Sequence, residues 1–196
     1  YFLSLFTSIH LHMNKIIYTQ VSKEAHIQHI LELQEKNLTT NISKEEAQAH
    51  GFVTVKHDAQ ILREMNDPHP HTIAMDENKV VGFALTMTKD FRKRIPVLEP
   101  MFDLIDSLSY NGERLKETRY FTMGQVCIDK DYRGIGIFKN LYETMKTSYH
   151  MHFDYLITEI AARNTRSMRA HAKVGFEEIK RYKEGDVTWV MVIWKF

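Results

Sequence analysis

The chain has 196 residues, 43% hydrophobic and 26% charged, with a formal net charge of +1. That is apolar material for the core of one ordinary soluble domain, and it argues against a disordered or fibrous chain. Acids and bases are mixed along the sequence, so neither a nucleic-acid face nor a membrane-binding field stands out, and the single cysteine, Cys127, leaves no internal disulfide framework and no cysteine-based zinc site.

Residues 1–12 are apolar and aromatic and precede Met13. They lack the basic start and cleavage site of a signal peptide and are too short to span a bilayer. We set them aside as a non-native or disordered leader, the rival view being a short segment docked on the surface. The domain proper is then 13–196. Ile16 to Val21 is β-branched and aromatic and reads as a first strand. Ser22 is the expected N-cap of a helix carrying Ala25, Ile27, Ile30, Leu31 and Leu33 at helical spacing, broken at Asn37 to Asn41. Ser43-x-x-Glu46 is a capping-box pattern for a second helix. Phe52 to Val55 is short and β-like, and Asp58 to Asn66 is helical.

After the turn Asp67-Pro68-His69-Pro70, strands at Thr72–Met75 and Val80–Thr86 flank Asp76-Glu77-Asn78 as an antiparallel hairpin. A long irregular segment follows, residues 89–118, with one helix expected near Pro100 to Ser107. Tyr120 to Ile128 is a strong strand. It leads through Asp129-Lys130-Asp131-Tyr132-Arg133-Gly134-Ile135-Gly136 into a helix with Ile137, Leu141, Met145 and Tyr149 on one face. Tyr155 to Ile160 is another strand, and Asn164 to Lys173 a helix stopped at Gly175. Phe176–Tyr182 and Val187–Trp194 close the chain as a hairpin. Both faces of the last strand are apolar, so it is expected to be covered on both sides.

The eleven histidines include His69 and His71, and His150 and His152, each two apart. None stands four residues from another beside an acid on a helix, so no metal site is expected and they read as surface residues.

The strand–glycine turn–helix at 120–149 presents several backbone amides at a helix start, where they have no intrahelical acceptor and the dipole adds partial positive charge. Phosphate or diphosphate is the natural ligand of such a place, and Gly134 and Gly136 allow close approach. Taken alone, the pattern is equally a tight turn that needs glycine for its geometry. Neither an NTPase phosphate loop nor an N-terminal G-x-G-x-x-G is present.

Cys127-Ile-Asp-Lys-Asp-Tyr-Arg-Gly-Ile-Gly-Ile137 resembles the coenzyme A signature R/Q-x-x-G-x-G/A of the GNAT acyltransferases. Downstream, Asn164-Thr-Arg-Ser167-Met-Arg-Ala-His171-Ala-Lys-Val174-Gly175-Phe176 is similar to that family's second motif, N-x-x-A-x-x-x-Y-x-x-x-G-F. The two stand in the family's order. The resemblance implies an α+β fold of three layers, α/β/α, with a mixed central sheet of about seven strands splayed between the fourth and fifth. It also implies acetyl-CoA as co-substrate. The backbone of Val126 and Ile128 would hold the pantetheine arm, and the amides of Gly134, Ile135, Gly136, Ile137 and Phe138, with Arg133, would hold the diphosphate. Asn164 and Ser167 would act from the other side. Two departures stand out: Phe138 occupies the last G/A position, and His171 the position of the tyrosine that commonly protonates the departing thiolate.

The implied reaction is direct attack of a primary amine, of a small molecule or peptide, on the thioester. Glu159 is the candidate base, with an exposed strand carboxylate as the alternative, and His171 is the candidate acid, with simple packing as the alternative. Thr122 and Gln125 are polar residues on the facing strand. Cys127 is read as a small buried hydrophobe. The insert 89–118 would lie over the acceptor side, its Asp90, Glu99, Asp103 and Asp106 either binding a cationic amine or forming a solvated face. A cytoplasmic enzyme is expected, with no nucleic-acid or membrane partner, and a homodimer through the last strand is compatible with the sequence. The competing functions are a coenzyme-A-binding sensor without efficient catalysis and, more weakly, a nucleotide-phosphate binder.

Overall fold

The structure, a computed structural model, describes residues 15–38 and 56–196. The leader, Met13, the capping-box helix at Ser43 to Glu46 and the strand Phe52 to Val55 lie outside the described residues. The elements in chain order are β1 (Ile17–Gln20), α1 (Glu24–Asn37), α2 (Ala59–Asn66), β2 (Thr72–Asp76), β3 (Lys79–Met87), α3 (Glu99–Ser107), β4 (Tyr120–Ile128), α4 (Ile137–Tyr149), β5 (Tyr155–Ala161), α5 (Thr165–Val174), β6 (Glu177–Glu184) and β7 (Val187–Lys195). These seven strands form one sheet in the order β1-β2-β3-β4-β5-β7-β6, and Ser109–Tyr110 pairs with Glu113–Arg114 as a separate short hairpin within the insert. Every pairing is antiparallel except β4 with β5.

Local chemistry accounts for three helix boundaries. Asp58 caps α2 by accepting from the Ile61 N–H at 2.8 Å. Asn164 does the same for α5, accepting from Ser167 N–H at 3.1 Å. Gly175 ends α5 at φ 112°, a conformation that disfavours any residue with a Cβ. One cap differs from expectation. Lys23, not Ser22, precedes α1, and it makes no side-chain cap bond. The Ser22 N–H donates to His26 Nδ1 at 3.4 Å, ahead of the helix.

The alternation of side chains divides the core into two layers around the sheet. Ile27, Ile30 and Leu33 of α1, Leu62 and Met65 of α2, and Phe102 and Ile105 of α3 pack on one face. Leu141, Tyr142 and Met145 of α4, with Met168 and Val174 of α5, pack on the other. Met191 and Ile193 of β7 face the first layer, and Val190, Val192 and Trp194 the second, so the last strand is covered on both sides. The insert belongs to the first layer. Phe91, Phe102, Ile105 and Leu115 anchor it there, and Arg92 pairs with Asp106 at 2.6 Å and Asp103 at 3.2 Å. Two of the four candidate amine-binding acids are thereby engaged within the insert. Among the described residues no helix is long and apolar enough to cross a membrane.

The sheet comes apart at one place. β4 and β5 pair only at Tyr120–Tyr155, Phe121–Leu156 and Thr122–Ile157. Past these, β5 stays with β7 through Ala161, while β4 stays with β3 through Ile128. The cause sits in β4. Between the pairs Ala84–Val126 and Thr86–Met123, β4 uses one residue more than β3, which is a β-bulge. A bulge bends its strand and raises the local twist, here carrying β4 away from β5. Gly124 lies against Met65 and Leu85 on the α1 face, and Gln125 accepts from Gln34 on the same face, so the doubled residues can be named.

Candidate functional site

A groove of about 490 Å³ opens at the splay, walled by the end of β4, the start of α4 and one face of α5. Val126, Ile128, Arg133, Gly134, Gly136, Ile137, Phe138, Asn164 and Ser167 all line it. Sequence-distant segments thus meet at one surface. Of the expected coenzyme contacts only Ile135 is missing from the wall. It is the exposed residue between the two glycines, with its side chain 51% accessible.

The loop before α4 is held in shape from below. The Asp129 N–H donates to the Val81 carbonyl at 2.8 Å, and the Asp129 carboxylate accepts from the Asp131 N–H at 3.2 Å. Tyr132 donates to Asp76 at 2.6 Å, which pushes the phenol up to about 12. Gly134 and Gly136 then adopt φ of 87° and 92°. A Cβ on Gly134 would meet nothing within 4 Å, and one on Gly136 only Asn140 Nδ2 at 3.9 Å. The glycines are therefore required by backbone conformation and leave open space on the groove side. Gly136 caps α4 without a side chain, so the first-turn amides keep their donors for a ligand.

On β4 the strand geometry assigns the amides. Asp129 N–H points to β3, and alternation along an antiparallel pair turns the N–H and C=O of Ile128 and Val126 toward the gap. The Ile128 carbonyl already accepts from Arg133 Nε at 3.1 Å, while Arg133 Nη2 donates to Asn37 Oδ1 at 2.6 Å. Arg133 Nη1 is buried with no partner, an orphaned donor at the groove wall. Among the described residues five cations line the groove, namely Arg133, Lys139, Arg166, Arg169 and Lys173, and no carboxylate does. That is a one-sign field suited to a polyanion.

Phe138 and His171 occupy the α4–α5 interface. The Phe138 ring lies 4.9 Å from Tyr142 and 5.0 Å from His171, so its bulk turns into the second core layer and its amide remains at the helix start. His171 is 2% exposed. Its Nδ1 is 2.9 Å from the Ser167 carbonyl, which can only accept, so Nδ1 carries the proton. Nε2 then accepts from the buried Tyr142 hydroxyl at 2.7 Å. Burial holds the imidazolium form down at about 4. Both nitrogens are engaged and the ring does not line the groove, so the geometry gives His171 a packing place and no route to a leaving thiolate. Asn164 Oδ1 is likewise committed, to its own helix cap.

Glu159 lies elsewhere. It is on β5 just past the last β4–β5 pair, opposite Met191 and therefore on the α1 face. It accepts a short hydrogen bond from Tyr182, and burial lifts its carboxyl to about 7. Across the gap on the same face, Gln34 donates to Gln125 at 2.9 Å and its Oε1 accepts from the His57 N–H, also at 2.9 Å. Thr122 donates to the Met87 carbonyl at 3.0 Å and is tied into the sheet. Cys127 points into the first core layer, and desolvation pushes its thiol up to about 12, far from a thiolate nucleophile.

Several lining residues escaped the sequence reading. Arg166, Arg169 and Lys173 stand at i, i+3 and i+7 on α5, a spacing that puts all three on one face and was available from the sequence. Asn37 carries no such signal, because only the fold brings the end of α1 to Arg133.

Comparison with known proteins bears on the same region. The model of the acetyltransferase (GNAT) family matches residues 27–176. Among solved structures, Arabidopsis thaliana NAA60 in complex with acetyl-CoA aligns with 93% of this chain and 100% of its own, at 13% identity and a TM-score of 0.63. The NatC complex bound to Gag peptide and CoA aligns over 93% and 99%, at 17% identity and a TM-score of 0.62. Salmonella typhimurium yncA, with its cofactor acetyl-CoA, aligns over 93% and 94%, at 14% identity and a TM-score of 0.59. At these identities the likeness is one of fold. No curated protein matches the sequence.

Proposed function

The chain belongs to the GNAT acetyltransferase family, and on that premise we propose that it is an N-acyltransferase moving an acetyl group from acetyl-CoA to a primary amine of a small molecule or peptide. The observation that carries the proposal is the groove at the splay: open amides at the start of α4, two glycines in left-handed conformation and, among the described residues, five lining cations with no carboxylate.

Those residues fit coenzyme A. The diphosphate would take the amides of Gly134 through Phe138, and the orphaned Arg133 Nη1 is a further donor for it. The pantetheine arm would extend the sheet edge of β4 through the gap-facing backbone of Val126 and Ile128. Asn164 and Ser167 form part of the opposite wall. Acetyl-CoA supplies the activated acyl group. The acceptor nitrogen bonds to the acyl carbon, the carbon–sulfur bond breaks, and the coenzyme departs with the electron pair. Glu159 takes the amine proton, directly or through water, from the acceptor face, on which the insert 89–118 also packs. A carboxyl near 7 is matched to that task at neutral pH. The Ile128 amide is our choice of donor to the negative charge that develops on the acyl oxygen. The thiolate is reprotonated by water or by the acceptor's own proton, since His171 is withdrawn from the groove. The free Cys127 suits a reducing cytoplasmic compartment.

Calorimetric titration with coenzyme A and acetyl-CoA, followed by an acetyl-transfer assay on a panel of primary amines from polyamines to short peptides, tests the reading. Saturable binding with turnover on at least one class is expected. Absence of binding at millimolar coenzyme would remove the proposal. The withdrawn His171 favours one second reading, a coenzyme-A-binding domain without efficient transfer, which predicts binding and no turnover on any amine.

A further inference from the structure

A residue outside both sequence motifs bears on Glu159. Tyr182 stands on β6, two strands from β5, and its hydroxyl reaches across β7 to donate to Glu159 Oε1. The sheet register brings them together: Glu159 pairs with Met191, and Tyr182 with Trp189 two residues away on the same face. We infer that Tyr182 is a positioning residue for the base, its hydroxyl holding the Glu159 carboxylate in one orientation beside the open splay. The inference rests on the reading of Glu159 as base given above.

The surroundings leave Tyr182 little competition. β7 presents Met191 and Trp189, and β4 presents Gln125 across the gap, none of which titrates near neutrality. On the first layer, His57 is held neutral by burial, at about 4. Lys180 stands opposite Met191 in the register and is exposed to solvent. Two opposed influences remain. Burial and the nearby Glu184 carboxylate both favour the protonated acid, and the Tyr182 hydrogen bond favours the carboxylate. Tyr182 gives its proton to this bond, and burial, then the negative partner, push its own ionisation far above the usual phenol range, so it remains a donor throughout the working pH range. A carboxylate with one fixed oxygen offers its other oxygen to the acceptor. Without the tyrosine the carboxyl is both freer to rotate and more reluctant to ionise.

Carboxyl-13C NMR of protein labelled with [δ-13C]glutamate reads the Glu159 titration directly, with its signal assigned by its loss in Glu159→Gln. The wild-type midpoint is expected near 7. In Tyr182→Phe it should rise by about one pH unit, because the bond that stabilises the anion is gone. In Glu184→Gln it should fall, because a like charge is gone. The acid limb of kcat/KM, measured with saturating acetyl-CoA and the best amine of the panel, should move the same way in each variant. Tyr182→Phe should be slowed several-fold at pH 7 and recover by pH 9. A merely structural role would slow the enzyme equally at all pH values. A Tyr182→Phe midpoint that stays put overturns the inference and leaves the base reading standing. Turnover that survives Glu159→Gln overturns the base reading and the inference with it.

Discussion

Replacing Gly136 by Asp separates the two jobs that the glycine performs. The first is conformational. At φ 92° and ψ 0°, an L residue is strained by about 1–2 kcal/mol, partly offset by about 0.3–1 kcal/mol from a negative charge at a helix start. The added Cβ meets only Asn140 Nδ2 at 3.9 Å, so no clash within the protein adds to this. Net destabilisation should thus be about 1 kcal/mol, a Tm shift of roughly 2–4 °C for a domain of this size. The second job is electrostatic. A carboxylate roughly 5 Å from a bound phosphate charge, at an effective dielectric near 20, is repelled by about 3 kcal/mol, which is over 100-fold in Kd. The variant should therefore melt within a few degrees of wild type and bind coenzyme A at least 100-fold more weakly. Gly136→Ala carries the strain without the charge, and should lose less than about tenfold. Thermal melts and calorimetric titration of the three proteins give both numbers. Gly136→Asp binding within threefold of wild type would refute the cradle, because no arrangement with the diphosphate on those amides could tolerate the charge.

Charge reversal on the α5 wall, Arg169→Glu with Lys173→Glu, should weaken coenzyme A binding by about tenfold or more at low salt. The deficit should shrink as salt rises and the screening length falls from about 10 Å at 0.1 M to 3 Å at 1 M; a salt-independent deficit would point to misfolding. His171→Phe should keep kcat within about twofold across pH while destabilising the fold by on the order of 1–3 kcal/mol, because the buried Tyr142 hydroxyl loses its acceptor. A rate loss of a hundredfold with an unchanged Tm would restore the imidazole as an acid. His57, His71 and His171 are buried and held neutral at about 4. Their unfolded forms bind protons near 6.5, so the stability they contribute is present above that pH and is lost as pH falls toward 4. Each loss is on the order of 2 kcal/mol by pH 5. Urea melts at pH 7.5 and pH 5 should show it, and equal stability at the two would mean that these rings are not neutral in the core.

Much of this protein is legible without coordinates. The strand–loop–helix around Gly134 and Gly136, the α5 cap at Asn164 and its stop at Gly175 are set by residues within a few positions of one another, where propensity, capping and glycine conformation decide the outcome. The doubly covered last strand is equally local, since apolar residues on both faces of β7 have only one use. Even the basic stripe of Arg166, Arg169 and Lys173 lay in the helical period, though it went unread.

What the tertiary structure alone decided is which neighbours the polar residues obtain. Ser22 does not cap α1, and its N–H meets the ring of His26. His171 holds its motif position, yet its protonation follows from Tyr142 and Ser167, which reach it only when α4 and α5 pack. Glu159 owes its raised pKa first to burial and then to the nearby Glu184 charge, and its bond to Tyr182 to a register across three strands. The splay itself comes from one extra residue in β4 opposite β3. Local rules act through the covalent chain and can be read along it. Charge, desolvation and proton placement act through space, and the sequence does not state those distances.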